Sequence, residues 1–259
     1  QKLYGLNASG RSPKNLKLDY FKKNNFTKIP AYGPLPVSVP GCVDGWFEMH
    51  EKFGSTSMHD ILQPAIEYAD NGFPVTELVS YYMKKASINF DMYPNFKETY
   101  YVNGTTPKKG QIFQNKDLAN TLSVIAKKGR KGFYEGEIAK AISDFVIEQG
   151  GFLSYNDLKN HKSEWIDPVS TNYRGFDIWE LPPNGQGIAA LQILNLLEAY
   201  DIKSMGFGSA EYIHHFTEAK KIAFADRAKY YADMDFNKIP VDYLISKEYS
   251  ELRLSLIHI

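Results

Sequence analysis

The chain has 259 residues, and its 30 basic and 30 acidic side chains leave no formal net charge. Such a balance gives no electrostatic reason for a nucleic-acid or anionic-membrane partner, and no uninterrupted apolar run approaches the roughly 20 residues of a membrane-spanning helix. The length is enough to bury a real core, and the single cysteine, Cys42, excludes an intrachain disulfide.

In chain order, residues 2–8 read as a strand. Pro40-Gly41 then introduces a helix start at Cys42, a place where a thiolate is favoured. A catalytic cysteine also needs a histidine partner in space, so Cys42 is read as a buried structural thiol. Ser57, with Asp60 three residues later, marks a capped helix that Pro64 should kink or restart and that closes at Gly72 and Pro74. Leu118, Leu122, Ile125 and Ala126 fall on one face of a further helix ending at Gly129. The basic run Lys127-Lys128-Gly129-Arg130-Lys131 fits a helix C-terminus complementing its dipole better than a phosphate track.

Ile138, Ala141, Ile142, Phe145 and Val146 repeat the helical pattern, and Gly150-Gly151 stops it. Ser154 and Asp157 then cap a short helix. Strand signals return over residues 169–181, turning at Arg174-Gly175. With no repeat, low-complexity tract or Ser/Gly-rich linker, residues 1–259 are expected to form one α+β domain in which helices outnumber strands.

The stretch Trp179 to Glu198 bears two incompatible readings. Gly185-Gln186-Gly187-Ile188-Ala189-Ala190 fits a dinucleotide fingerprint. That site needs glycines leaving a strand directly and an acid closing a second strand about 20 residues later. Here Pro182 and Pro183 intervene and Asp201 comes too early. Elsewhere, Glu211, His214, His215 and Glu218 have helical spacings a metal could use, but no third ligand set accompanies them. A surface Glu-His pair is the simpler reading. Asp226-Arg227 reads as a partly buried ion pair fixing a helix, and Tyr93, Phe96, Tyr100 and Tyr101 as loop packing, because no basic groove accompanies them.

The second reading of residues 179–198, a strand, Pro-Pro, a small-residue turn and the helix Ile-Leu-Asn-Leu-Leu-Glu, rests on resemblance. With Leu6 to Pro13, Val37 to Trp46, Gln63 to Phe73, Gly132 to Gly136, Gly150 to Ser154, Tyr173 to Gly175 and Glu218 to Arg227, in that order, it resembles the large subunit of the gamma-glutamyltransferase (gamma-glutamyltranspeptidase) family of N-terminal nucleophile hydrolases. The resemblance implies part of a four-layer αββα sandwich, with this chain supplying outer helices and a share of the sheets. It implies an enzyme that cuts its own chain to free a Thr beyond Ile259, whose hydroxyl attacks a gamma-glutamyl carbonyl with its own α-amine as base. Neither cofactor nor metal is implied. The implied partners are a small subunit from the same precursor and a small-molecule gamma-glutamyl substrate such as glutathione. The chain is then a fragment that is inactive alone, holding no catalytic residue. Thr105, Thr106, Thr121 and Thr171 are ordinary loop, helix or strand residues.

What remains is one wall of the substrate pocket. In the family an Arg before an Ala-Pro pair holds the glutamyl α-carboxylate, a task that suits the guanidinium fork. Aligned on Pro13, that position falls on Ser9, and the nearby cation is Arg11, two residues later. On an extended strand a spacing of two keeps the same face, so Arg11 and Ser9 are the substrate-binding candidates. The alternatives are that Arg11 is a loop residue pairing with a surface acid, that the enzyme is an acylase of the same family acting on another amide, or that the chain is a non-catalytic helical interaction module.

Overall fold

The structure, a computed structural model, describes residues 2–255. The chain divides into two compact units, one made of Ala8–Ser163 and the other of Gln1–Asn7 with Glu164–Ile259. Strand β1 (Gly5–Asn7) belongs to the second.

The Ala8–Ser163 unit is helical. It contains α1 (Leu18–Lys23), α2 (Cys42–Phe53) and α3 (Met58–Asn71), then β2 (Phe73–Pro74), α4 (Glu77–Phe90), α5 (Phe96–Tyr100) and β3 (Ile112–Phe113). Helices α6 (Lys116–Tyr134), α7 (Glu137–Glu148) and α8 (Tyr155–Lys159) complete it. β2 and β3 form a short antiparallel pair. The Ser57 side chain accepts from the Asp60 N–H, as the spacing requires. Pro64 neither ends nor restarts α3, which runs from Met58 to Asn71. The proline lies at the seventh of its fourteen residues and removes one intrahelical donor there, while burial of Leu62 before it and Ala69 after it anchors both halves of the helix.

Helix α6 breaks at Gly129, whose φ of 66° and ψ of −160° lie outside the helical region. A side chain disfavours positive φ, so glycine suits the break. Lys127 and Lys128 before it are exposed, whereas Arg130 after it is half-buried. The basic run therefore does not end a helix as one cationic turn, because the backbone reversal at Gly129 sends Arg130 inward. Ser154 and Asp157 form a reciprocal capping box on α8. The core gathers Leu62 of α3, Leu122 and Ile125 of α6, Ala139 and Val146 of α7, and Leu158 of α8 around Val43 of α2.

The second unit carries β4 (Glu164–Ile166), β5 (Val169–Tyr173), β6 (Phe176–Glu180), α9 (Ile188–Leu197), α10 (Ile202–Met205), α11 (Ala210–Tyr230), α12 (Val241–Leu244) and α13 (Lys247–Leu254). β1 pairs antiparallel with β4, Leu6 opposite Trp165. β5 and β6 form a hairpin whose central residues Arg174 and Gly175 have φ of 51° and 89°, the two positive values a tight primed turn needs. Helix α9 is mostly apolar and buried on two sides, with Gln192 and Asn195 as its buried polar residues. Ala189, Ile193 and Leu196 pack with Ala219 and Ala223 of α11, while Ile188 and Leu191 meet Leu244, Ile245 and Tyr249. The strand before α9 lies in an antiparallel hairpin and not in a βαβ unit, which removes the dinucleotide reading of Gly185 to Ala190.

Candidate functional site

Ser9 and Arg11 lie in the irregular segment that follows β1, and both are exposed. β1 ends at Asn7, so neither sits on its paired face. The backbone of this segment is nonetheless fixed. Val39 N–H donates to the Arg11 carbonyl at 3.0 Å. A Cβ on Gly10 would stand 1.6 Å from the Val39 carbonyl oxygen, and one on Gly41 would stand 1.9 Å from the Ala8 carbonyl oxygen. Two glycines thus let residues 8–11 lie directly on residues 39–41, a ledge leading into α2.

Beneath the ledge is a buried polar network. Asp44, in the first turn of α2, is 2% exposed. One of its carboxylate oxygens accepts from Arg130 Nε, and the other accepts from the Ser163 N–H. Arg130 Nη2 donates to the His161 carbonyl, and its guanidinium lies over the Tyr134 ring, 4.7 Å from the centroid. The Tyr134 hydroxyl donates to the Pro40 carbonyl at 2.7 Å and accepts from the Asp44 N–H at 3.1 Å. His161 stacks on Tyr134 with ring centroids 5.6 Å apart, and its Nε2 stands 4.0 Å from Asp44 Oδ2.

Ionisation states follow from these contacts. Burial alone would raise the Asp44 carboxyl, but hydrogen bonds from Ser163 and Arg130 outweigh it and hold the group below its ordinary range. Burial pushes the Tyr134 hydroxyl up to about 12, so it remains a donor. His161 is lowered, chiefly by burial, with Asp44 opposing and the Arg130 and Arg11 charges reinforcing. At neutral pH the network is one Asp-Arg ion pair with a neutral imidazole and a neutral phenol beside it.

Sequence reasoning missed Arg130, Asp44, Tyr134 and His161. The arginine just past a helix-breaking glycine, within the basic run, was the available signal, but its acidic partner lies 86 residues away. Three readings are corrected. Cys42 is exposed at the first residue of α2 and is not a buried thiol. His215 Nδ1 lies 2.9 Å from the Glu211 backbone carbonyl and so pairs with the main chain, not with the carboxylate. Asp226 does not pair with Arg227. It binds Arg253, and Arg227 donates to Gln186 and stacks on Phe224. Adjacent helical residues point in different directions. Thr171 is buried and donates to Asn195 Oδ1 at 2.6 Å. Among the described residues no group of three or more His, Cys, Asp and Glu side chains is arranged to hold a metal ion, and no helix is long and apolar enough to cross a membrane.

The family profile described as Gamma-glutamyltranspeptidase matches residues 1–259. The glutathione hydrolase-like YwrD proenzyme of Bacillus subtilis is 38% identical over 95% of this chain and 46% of its own length, so the chain spans about half of that relative. Among solved structures, Helicobacter pylori gamma-glutamyltranspeptidase matches with a TM-score of 0.91 and 33% identity, covering 98% of this chain and 74% of that chain. Cephalosporin acylase from Bacillus halodurans matches with a TM-score of 0.92 and 35% identity, covering 99% of this chain and 49% of that one. With an α+β architecture that follows these N-terminal nucleophile hydrolases, the chain belongs to the gamma-glutamyltranspeptidase family.

Proposed function

We propose that the chain is the large-subunit portion of an enzyme that hydrolyses or transfers gamma-glutamyl groups, and that its two units form part of one incomplete hydrolase domain. The nucleophile in this reading is a Thr outside the described residues, released by self-cleavage and carried by a small subunit from the same precursor. Its hydroxyl attacks the gamma-glutamyl carbonyl, and its free α-amine takes the proton. This chain's contribution is Arg11, with Ser9 beside it. The observation that carries the reading is an exposed guanidinium whose backbone is locked onto the 39–41 ledge. A cation on a fixed backbone can offer two parallel hydrogen bonds to a substrate carboxylate with little ordering cost.

The test uses the full-length, processed protein and the release of p-nitroaniline from gamma-glutamyl p-nitroanilide. Arg11→Lys should lower the specificity constant roughly ten- to a hundredfold, the value of a charge-assisted hydrogen bond. It should leave a butyryl anilide, which has no carboxylate to hold, almost unchanged. Equal loss on both substrates would make Arg11 part of the scaffold, and no loss on either would return it to a surface-loop role. A second reading, an acylase acting on another amide, is favoured by the position of Arg11 two residues from the family's usual Arg and by the likeness to a cephalosporin acylase. Faster turnover of a glutaryl anilide, which keeps the carboxylate and lacks the α-amine, would select it.

A further inference from the structure

We infer that Arg130 is a positioning residue for substrate recognition: by bridging Asp44 and the His161 carbonyl it holds the ledge on which the Arg11 segment lies. The inference rests on the proposed role of Arg11 and extends it to a residue that donates to two groups of this chain, Asp44 and the His161 carbonyl. Arg130 gives Nε to the Asp44 carboxylate and Nη2 to the His161 carbonyl, two donors of one rigid plane joined to two separate parts of the chain. Asp44 sits four residues after Pro40, and the Tyr134 hydroxyl ties the two, taking the Asp44 N–H and giving its proton to the Pro40 carbonyl. The ledge is therefore gripped from below at Pro40 and through Asp44, three residues beyond its end. From above, Val39 N–H holds the Arg11 carbonyl, and Gly10 and Gly41 admit the close backbone approach.

A lateral shift of this ledge moves the Arg11 backbone with it, because the approach at Gly10 and Gly41 leaves no slack. Geometry of this kind matters at a recognition site, where a displacement of about 1 Å can cost as much as a hundredfold. Lysine cannot replace Arg130, since one ammonium at the end of a flexible stem does not reproduce two donors held in a rigid plane. Gly129 adds to the fixity, its positive φ being what turns Arg130 back toward α2.

The test is a double-mutant cycle in the full-length, processed protein, with Arg11→Lys, Arg130→Lys and the pair. Arg130→Lys should raise KM for gamma-glutamyl p-nitroanilide about three- to tenfold while kcat stays within about twofold, and should leave the butyryl anilide KM unchanged. In the Arg11→Lys background the Arg130 effect should largely vanish, as coupled residues require. Tyr134→Phe, which removes the tie to Pro40 and keeps the ion pair, should shift KM in the same direction and supplies the readout if Arg130→Lys does not accumulate. A Tyr134 or Arg130 effect that is equal on both substrates, or additive with Arg11→Lys, overturns the inference while leaving the Arg11 reading intact. An inert Arg11→Lys overturns both.

Discussion

Asp226 of α11 and Arg253 of α13 form a buried ion pair at 3.1 Å, and the same carboxylate accepts from Gln192 of α9 at 2.9 Å and from the Tyr249 hydroxyl at 3.0 Å. One acid thus fastens three helices of its unit. With burial, the Asp226 charge helps to push the Tyr249 hydroxyl up to about 12, so the phenol stays a donor to it.

Removing one partner of a buried ion pair strands the other charge away from water, at a cost of about 3–5 kcal/mol. Asp226→Ala should destabilise the protein by that order in urea denaturation. Arg227→Ala, which touches Gln186 and the Phe224 ring at an exposed position, should cost under about 1 kcal/mol. Comparable losses for the two would contradict the assignment of Arg253 as the partner.

Gly129 and Gly185 offer a paired backbone test. Gly129 has a φ of 66°, where alanine costs about 1–2 kcal/mol, and its substitution should also loosen the turn that delivers Arg130. Gly185 has open space around it and no left-handed φ, so Gly185→Ala should fall within about 0.5 kcal/mol of the parent. Thermal melts of the two variants separate these outcomes.

The Asp44 network should make stability pH-dependent in two windows. His161 has a folded pKa below its ordinary 6.5, so the unfolded chain takes up a proton first on acidification. Its contribution is complete above the unfolded value and is lost as pH falls through the folded one. Asp44 is likewise depressed below 3.8, and its contribution is lost at still lower pH. The urea midpoint should therefore drop on going from about pH 7.5 to about pH 5, and His161→Gln should flatten that fall. A His161→Gln profile parallel to the parent would show that other groups govern this range.

The isolated chain should show no turnover of a gamma-glutamyl anilide, because the proposed nucleophile and its amine lie on the other subunit. Turnover by this chain alone, abolished by changing Thr105, Thr106 or Thr121, would refute that division of labour.

Local chemistry made much of the fold legible. Ser57 over Asp60, the Ser154–Asp157 capping box, the Arg174-Gly175 hairpin and the break at Gly129 each depend on hydrogen bonds or dihedral limits spanning three or four residues. The order of motifs similarly identified the family before any contact was known. Pairings across long stretches of sequence were not legible. β1 finds β4 more than 150 residues later, Asp44 finds Arg130 across 86, and Asp226 takes Arg253 in preference to its neighbour. A charge that must leave water is satisfied by whichever counter-charge the packed helices bring to it, and sequence spacing does not encode that choice. The exposed Arg11 was visible as a residue type, but the ledge that holds it exists only because Gly10 and Gly41 allow two distant backbones to touch.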